Sequence, residues 1–522
     1  MLPWPTNLSV AGRLSEVDWT PGMVAAVAAL PVALYLFQRV VFPTVDAREP
    51  PILRPKVPFF GHIISLIREY TSMFDRLYKE KALPICSLPM LNGYIYVIND
   101  PALISAAMRN RNLSFDPFSL EFAVGSLGMT QHHVDLFSAP GMMDEITHVI
   151  HSSLTGDNVF QMNVKALADI SSLLNKVKPS EGLHVADVSH WLRDLMTMAT
   201  MAAMFGKNNP FAVKDVPDFW EFDKGVGLLA LGIAQNILAP NALAARKRSQ
   251  AKLAKFYEAR LDEGDDVAAI IKNRAALERR LGIPPDEMAN IEYSMAFVGT
   301  SNTIPTLIWF FLNVFASDDF VARIRAEVQQ VATIETNPDT GKRTATIDIT
   351  RLEKGCPTLF ACYRETLRKY SDVLGNRRVM ADTTLRDPTT GHEYLLRKGI
   401  NVQWPAQVTH NLPSVWGEDT DAFRPERFID TSSLDEKKRR GAMVPFGGGR
   451  NLCPGRYFAQ AENLGFVSAV ALGFDVEGVK VPPSGNAWLG TAVRRPDWSD
   501  ISPSITIKRR PGWEDVSWGF KC

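Results

Sequence analysis

The residues best placed to do chemistry lie in one glycine-rich stretch, Pro445–Glu462, which reads PFGGGRNLCPGRYFAQAE. Three consecutive glycines from Gly447 permit positive φ and let another group approach the backbone closely. Pro454 fixes φ where a helix can begin, so Cys453 precedes a helix N-terminus, whose amide dipoles favour a thiolate. On the residues alone, Cys453 is either such a thiolate or a small buried hydrophobic residue.

A second stretch with chemical potential is the apolar segment from about Pro285 to Ala316, which contains AFVGTSNTIPTLIWFF. Because it is apolar all round, it predicts a buried central helix. Gly299 weakens this helix and Pro305 removes an interior hydrogen bond, so we expect a local kink between them.

A third pattern is a charged cluster built from two distant segments. Glu365 and Arg368 are three residues apart in YRETLRKY, so they share a helix face and can pair there. The segment FRPERF, Phe423–Phe428, supplies Arg427. Planar guanidinium groups suit bidentate pairing with a carboxylate, so Arg427 can complete a buried cluster with Glu365 and Arg368 where the fold brings the two segments together.

These patterns occur in the order found in a known family. Phe446, Gly449, Cys453 and Gly455 have the spacing of the haem-binding loop of cytochromes P450, and the chain is identified by resemblance as a member of that family. The resemblance implies a mainly α cytochrome P450 fold with a small β-rich subdomain. It also implies haem b (iron protoporphyrin IX) with the Cys453 thiolate as the axial iron ligand, a ligand that favours O–O cleavage.

The resemblance also assigns further cofactor contacts. Phe446 and Gly449 belong to the loop, and Arg378 takes the place of the family's propionate-binding arginine. The family usually carries an arginine two residues before the cysteine, where this chain has Asn451, with Arg450 one place further back. The expected cofactor-binding set is Cys453, Phe446, Gly449, Arg378 and Arg450.

On the oxygen side, an alignment without gaps on Trp309 gives four catalytic candidates, Gly299, Ser301, Asn302 and Thr303. Ser301 stands where the family has an acid and Asn302 where it has a threonine, so the acid–alcohol pair is missing. This pattern resembles the branch that contains cholesterol 7α-hydroxylase and prostacyclin synthase. Asn302 is interpreted either as a catalytic residue or as a satisfied core amide at a helix kink.

The elements that must hold these residues follow an N-terminal anchor. We expect a luminal tail (1–21), a transmembrane helix (22–42), a proline-rich hinge (43–60) and a catalytic domain (61–522). Basic residues after the apolar run place the catalytic domain in the cytoplasm. The resemblance to microsomal cytochromes P450 implies that the membrane is that of the endoplasmic reticulum. Asn7 then begins a sequon exposed to the lumen, a candidate glycosylation site. A hairpin is predicted from Ile85–Pro89 and Tyr94–Ile98, and largely helical structure from 99 to about 320.

Composition excludes other classes of protein. The 57 basic and 57 acidic residues cancel, which gives no indication of a nucleic acid partner. Five scattered cysteines are too few for a disulfide framework or a zinc site of paired spacings.

The resemblance implies a monooxygenase that hydroxylates, or oxidises in several steps, a hydrophobic small molecule. Its partners would be O2, the membrane and NADPH-cytochrome P450 reductase, and its substrate a terpenoid, steroid-like or polyketide metabolite of a biosynthetic pathway. Two alternatives stay open: a haem-thiolate isomerase or peroxide rearrangement enzyme, and, more remotely, a non-catalytic membrane haem-binding protein.

Overall fold

A computed structural model describes residues 20–41, 45–55, 61–90, 93–429, 431–496 and 504–522. Most of the expected luminal tail lies outside these residues, and so do parts of the expected hinge and the last residues of the turn near Trp488–Asp500.

Helices dominate the described chain, as the sequence predicts. Their bounds are α1 Pro21–Val41, α2 Ile63–Glu69, α3 Ser72–Lys81, α4 Pro101–Arg109, α5 Asp116–Phe122, α6 Gln131–Phe137, α7 Met142–Ser153, α8 Asp157–Asn175, α9 Val188–Phe205, α10 Val216–Ala230, α11 Gln235–Leu238, α12 Pro240–Glu258, α13 Ala269–Arg280, α14 Pro285–Thr300, α15 Thr303–Phe315, α16 Asp318–Val331, α17 Ile349–Gly355, α18 Pro357–Tyr370, α19 Ala406–His410, α20 Pro413–Trp416, α21 Ser433–Ala442 and α22 Arg456–Gly473.

The strands form several small sheets. Their bounds are β1 Ile85–Met90, β2 Gly93–Ile98, β3 Leu113–Ser114, β4 Leu183–Val185, β5 Ala332–Thr336, β6 Arg343–Asp348, β7 Leu374–Val379, β8 Thr383–Arg386, β9 Glu393–Leu396, β10 Asn401–Pro405, β11 Phe474–Glu477, β12 Ile505–Arg509 and β13 Ser517–Lys521. The largest sheet has the order β1-β2-β10-β7-β3, and the others are β11-β12-β4, β13-β6-β5 and β8-β9.

The predicted hairpin is confirmed: β1 and β2 pair antiparallel, from Ile85 with Ile98 to Met90 with Gly93. Its partner β10 pairs in parallel with β2 and antiparallel with β7. This arrangement places β7, which carries Arg377 and Arg378, in the sheet beside the Cys453 loop.

The predicted central helix is present and interrupted. α14 ends at Thr300 and α15 begins at Thr303, so the break lies between Gly299 and Pro305 as expected. Every residue of α15 is buried, because its apolar side chains pack in one core with α18 and α22. The interrupted helix therefore packs against α18, which carries Glu365 and Arg368, and against α22, which follows the Cys453 loop.

Two helical stretches bear on the membrane prediction. Within the described chain, Pro285–Phe315 is long and apolar enough to span a bilayer. However, 78% of its most apolar part is buried inside the fold, as in a core helix. At the N-terminus, α1 begins with a shorter apolar stretch, Pro21–Leu34. Its side chains are exposed, including Val27 at 58% and Leu30 at 63%.

Candidate active site

The Cys453 loop is folded onto itself by backbone hydrogen bonds. The Cys453 amide donates to the Phe446 carbonyl at 3.0 Å, and Gly447 donates to Val444 at 3.1 Å. Arg456, the first residue of α22, donates from Nη1 to the Cys453 carbonyl at 3.0 Å. The sulfur is therefore fixed between a closed loop and the start of a helix.

The surroundings of the Cys453 thiol shift its pKa in opposite directions. Burial raises the pKa of Cys453, while amide hydrogen bonds from Gly455 and Arg456 and the charge of Arg456 lower it. Burial has the larger effect, so the pKa of the thiol is raised overall. The helix N-terminus, which the sequence predicts to favour the thiolate, is thus present but insufficient by itself. A bound cation would be needed to complete the deprotonation.

Gly449 explains why the loop needs glycine. Its φ is +63°, and an added Cβ would lie 2.8 Å from the Met108 carbonyl oxygen at the end of α4. A larger residue would therefore be strained and would also push α4 away from the loop.

The arginine assignments differ from those predicted. Arg378 points away from the loop: its Nη1 pairs with Glu121 at 2.6 Å and its Nε donates to Asn401 at 3.0 Å. Arg377 is the buried member, 6% exposed, and its Nη2 donates to the Gly448 carbonyl at 3.4 Å. Side chains alternate along a strand, so a one-residue error in phase chooses the wrong arginine.

Arg450 also lies outside the loop interior. Its side chain is 57% exposed and pairs with Asp144 on α7. The neighbouring Asn451 is half-buried. The side chain of Arg450 is therefore directed towards Asp144 and solvent, not towards a cofactor held by the loop.

The predicted charged cluster is assembled as expected. Arg368 donates from Nε and Nη2 to the two Glu365 oxygens at 2.7 and 2.8 Å, and both side chains are fully buried. Arg427 approaches the same carboxylate at 3.5 Å. Arg368 also donates to the carbonyls of His410 (2.9 Å) and Thr420 (2.8 Å), so the cluster holds the segment that leads to the cysteine loop.

His410 carries this connection into the loop. Its Nδ1 lies 3.0 Å from the Arg368 carbonyl, and its Nε2 accepts from the Val444 amide at 3.0 Å. These contacts require a neutral ring with the proton on Nδ1. Burial and the charge of Arg368 lower the pKa of His410 to about 3, which keeps it neutral.

The oxygen-side candidates meet at the break in the central helix. Asn302 Oδ1 accepts from the Ala492 amide at 2.9 Å, which fixes the amide orientation and directs Nδ2 elsewhere as a donor. Ser301 is 2% exposed and its Oγ has no hydrogen-bond partner among the described residues. Thr303 is buried on the first turn of α15, and Gly299 lies against Met204 and Thr200 of α9.

Three residues of this region are not found by reading the sequence. Arg377 could have been identified from the alternation of Gly375, Arg377 and Val379 on the buried face of β7. Asp223 and Arg495 form a buried ion pair of 2.7 Å beside the helix break. They are 272 residues apart, and no local pattern connects them.

The residues fit haem b. Arg377 is a buried cation with no carboxylate within ion-pair distance in the described chain, and burial lowers its pKa to about 10. Such a cation suits a propionate group. Val298, near the end of α14, is 53% exposed, so the helix carries uncovered apolar surface beside its break. Cys453 offers a single soft ligand.

Comparisons with known proteins agree with this geometry. The family model described as Cytochrome P450 matches residues 50–497. A cytochrome P450 monooxygenase of Gibberella zeae is 36% identical over 94% of each chain. The monooxygenase nodJ of Hypoxylon pulicicidum is 28% identical over 91% of this chain and 93% of its own.

More distant similarities extend the same result. The human 7-alpha-hydroxycholest-4-en-3-one 12-alpha-hydroxylase is 24% identical over 82% of this chain and 86% of its own. A solved structure of a retinoic-acid-bound cyanobacterial P450 matches with a TM-score of 0.67 and 18% identity, over 89% of this chain and 100% of that one. The chain therefore belongs to the cytochrome P450 family, whose members bind haem b through a cysteine thiolate and are oxidoreductases that incorporate molecular oxygen.

Proposed function

We propose that the protein is a haem-thiolate monooxygenase that hydroxylates, or oxidises in several steps, a hydrophobic small molecule. The observation that carries this proposal is the Cys453 loop, in which a half-buried thiol receives amide hydrogen bonds beside Arg377, a buried arginine that hydrogen-bonds only backbone carbonyls in the described chain. Haem held here supplies the centre at which O2 is activated, and a thiolate ligand favours O–O cleavage. Cys453 would be the axial ligand, with Phe446 and Gly449 shaping its loop and Arg377 binding a propionate.

The side chains at the helix break define what the protein itself contributes. Asn302 holds its oxygen on Ala492, so its Nδ2 can donate hydrogen bonds but the amide cannot pass on a proton as a carboxylic acid does. Thr300 Oγ1 donates its hydrogen bond to the Ala296 carbonyl at 2.8 Å. It therefore does not replace the threonine hydroxyl that the family has at the position of Asn302. Ser301 and Thr303 supply the remaining hydroxyl groups at the break. Protons would reach the site through ordered water rather than through an acid–alcohol pair.

The substrate class is proposed from the relatives. Two matched fungal proteins are named as P450 monooxygenases, and the human relative is named for hydroxylation of a steroid. We assign a terpenoid, steroid-like or polyketide metabolite of a biosynthetic pathway to this chain.

The cellular setting is part of the same proposal. Residues 22–42 act as a single-pass anchor in the endoplasmic reticulum membrane, residues 43–60 as a hinge, and 61–522 as a cytoplasmic catalytic domain. The exposed apolar side chains at the start of α1 support the anchor, since a lone helix of this kind has no protein surface to cover it. NADPH-cytochrome P450 reductase would supply the electrons.

The test is a reconstitution with a reductase, NADPH and ¹⁸O₂ against terpenoid, steroid and polyketide scaffolds. We expect a product that carries one ¹⁸O atom per hydroxyl group and that requires NADPH. Reaction of a peroxide substrate without NADPH or reductase would instead select a rearrangement enzyme, the alternative favoured by the replacement of the acid–alcohol pair. Haem-loaded protein that binds a scaffold but forms no product under either condition would contradict both and favour a non-catalytic haem protein.

A further inference from the structure

The break in the central helix leaves carbonyls without their normal amide donors, and the carbonyl of Ser301 is one of them. In an α-helix the amide of residue 305 would donate to the carbonyl of residue 301, but Pro305 has no N–H. Ser301 is 2% exposed, so bulk solvent does not reach it. The carbonyl instead accepts from Arg495 Nη2 at 2.9 Å. A side chain from the C-terminal turn thus substitutes for the missing amide.

Arg495 is held in place by groups on a third element. Its Nη2 also donates to Asp223 Oδ2 on α10 at 2.7 Å, and Nη1 donates to the Val493 carbonyl at 2.9 Å. The guanidinium carbon lies 4.9 Å from the centre of the Trp488 ring and 5.9 Å from that of Trp220. Burial raises the pKa of Asp223 and Arg495 lowers it, and burial has the larger effect, so Arg495 offsets only part of the cost of burying this carboxyl group.

The turn that carries Arg495 is itself fixed to both helices. Asn302 Oδ1 accepts from Ala492, and Trp309 Nε1 donates to the Arg494 carbonyl at 2.9 Å. On the other side, a Cβ at Gly227 of α10 would collide with the Leu489 carbonyl, so α10 rests directly on the backbone of the turn. The turn therefore lies between α10 and the helix break and contacts both.

We propose that Arg495 is a positioning residue that holds the central helix open at Ser301, and that Asp223 links this break to the position of α10. Four residues then act together. Pro305 lacks the amide that would donate to the Ser301 carbonyl, and Arg495 donates to that carbonyl instead. Asp223 pairs with Arg495. A shift of α10 would change the hydrogen bond on Ser301 and so the geometry beside Asn302. The link to oxygen chemistry rests on the proposed monooxygenase function, whereas the link between Arg495 and Pro305 does not.

The direct test is a double-mutant cycle in the unfolding of the full chain. Arg495→Gln should lower the folding equilibrium constant by on the order of tenfold or more, because it leaves a buried carbonyl and a buried carboxylate without their donor. Pro305→Ala supplies the missing amide, so the double variant should lose less than the two single losses combined. Additive losses would overturn the assignment. If Arg495→Gln does not fold, Arg495→Lys takes its place in the same cycle.

A matched control lies on the same helix. Pro285 is the first residue of α14, at the opposite end of that helix from the break, so an amide restored there cannot reach the Ser301 carbonyl. Pro285→Ala combined with Arg495→Gln should therefore be additive. Equal non-additivity for both prolines would show a general effect of proline removal and would contradict the proposal.

The second readout tests positioning in haem-loaded protein. Asp223→Asn and Arg495→Gln should each increase the peroxide released per NADPH consumed, and the double variant should be no worse than Arg495→Gln alone. Independent effects of the two would overturn the link to α10. If no variant and no wild type consumes O2 with NADPH, the proposed function fails, while the unfolding cycle still decides the role of Arg495.

Discussion

Arg377 and Arg378 are adjacent in the chain but lie on opposite faces of β7. Arg377 is buried between the rings of Phe115 and Trp404, at 5.5 and 5.2 Å, whereas Arg378 pairs with Glu121 near the surface. Burying a guanidinium without a carboxylate is unfavourable, so its presence at the Cys453 loop indicates an anionic partner there.

This difference gives a residue-scale prediction. Arg377→Ala should give protein that folds but retains much less haem, because the anionic group of the cofactor loses its cation. Arg378→Ala, which removes an equally large side chain from the same strand, should retain haem as the wild type does. The haem-to-protein ratio after purification measures both, and the reverse order would return the role to Arg378.

His410 provides a pH prediction at the same scale. Its folded-state pKa of about 3 lies below the ordinary value of 6.5, so the unfolded chain takes up the proton first as pH falls. Its contribution to stability is complete above pH 6.5 and is lost towards pH 3, at up to about 1.4 kcal/mol per pH unit.

Urea unfolding at several pH values between 6.5 and 4 measures this effect. His410→Gln should be less stable at neutral pH and should show a shallower decline with acid. His148→Gln, on an exposed position of α7, serves as the control and should follow the wild-type curve. An unchanged acid slope in His410→Gln would assign the decline to other groups.

At the scale of elements, the buried cluster joins α18 to the segment before the cysteine loop. The start of α18 is fixed by Glu327 of α16, whose carboxylate accepts from the Thr358 amide at 2.9 Å. Arg368, held by Glu365, then donates to the carbonyls of His410 at the end of α19 and of Thr420 beyond α20. The loop depends on this cluster because few regular elements lie between Trp416 and Arg456.

The cluster predicts an asymmetry between buried and exposed ion pairs. Glu365→Ala strands the Arg368 charge and should cost ~3–5 kcal/mol, with loss of haem retention rather than altered specificity. Glu181→Ala breaks a pair with Lys178 of the same spacing but 67% exposed on both sides, and should cost no more than ~1 kcal/mol. Denaturant midpoints and haem content compare the two, and similar losses would argue against the cluster.

The same elements show what sequence can and cannot predict. Glu365 and Arg368 were predictable because helical spacing places them on one face, and the helix break because Gly299 and Pro305 act locally. Arg377 was missed although alternation along β7 places it on the same face as the apolar Val379, because the family position pointed to its neighbour Arg378. The donor to Ser301 was unpredictable, since Arg495 reaches it only through tertiary folding.

At the scale of the whole molecule, a prediction concerns the side of the membrane on which the catalytic domain lies. Asn112 also begins a sequon, and it is exposed in the fold, so burial would not protect it from a glycosyltransferase. Because the proposed topology places the catalytic domain in the cytoplasm, we expect Asn112 to stay unmodified and any glycan to be on Asn7. In microsomes, Asn7→Gln should remove any shift caused by endoglycosidase. A glycan on Asn112 would place the domain in the lumen, away from its proposed reductase.

The central claim, that Cys453 holds haem as a thiolate ligand, is tested most directly by the absorption spectrum of the reduced carbon monoxide complex. The wild type should show the strongly red-shifted Soret band that a thiolate ligand produces. Cys522→Ala, at an exposed free cysteine, should keep this band. Cys453→His, which offers an imidazole instead, should lose the band while any haem it retains absorbs at shorter wavelength. A Cys453→His protein that keeps the red-shifted band would contradict the account.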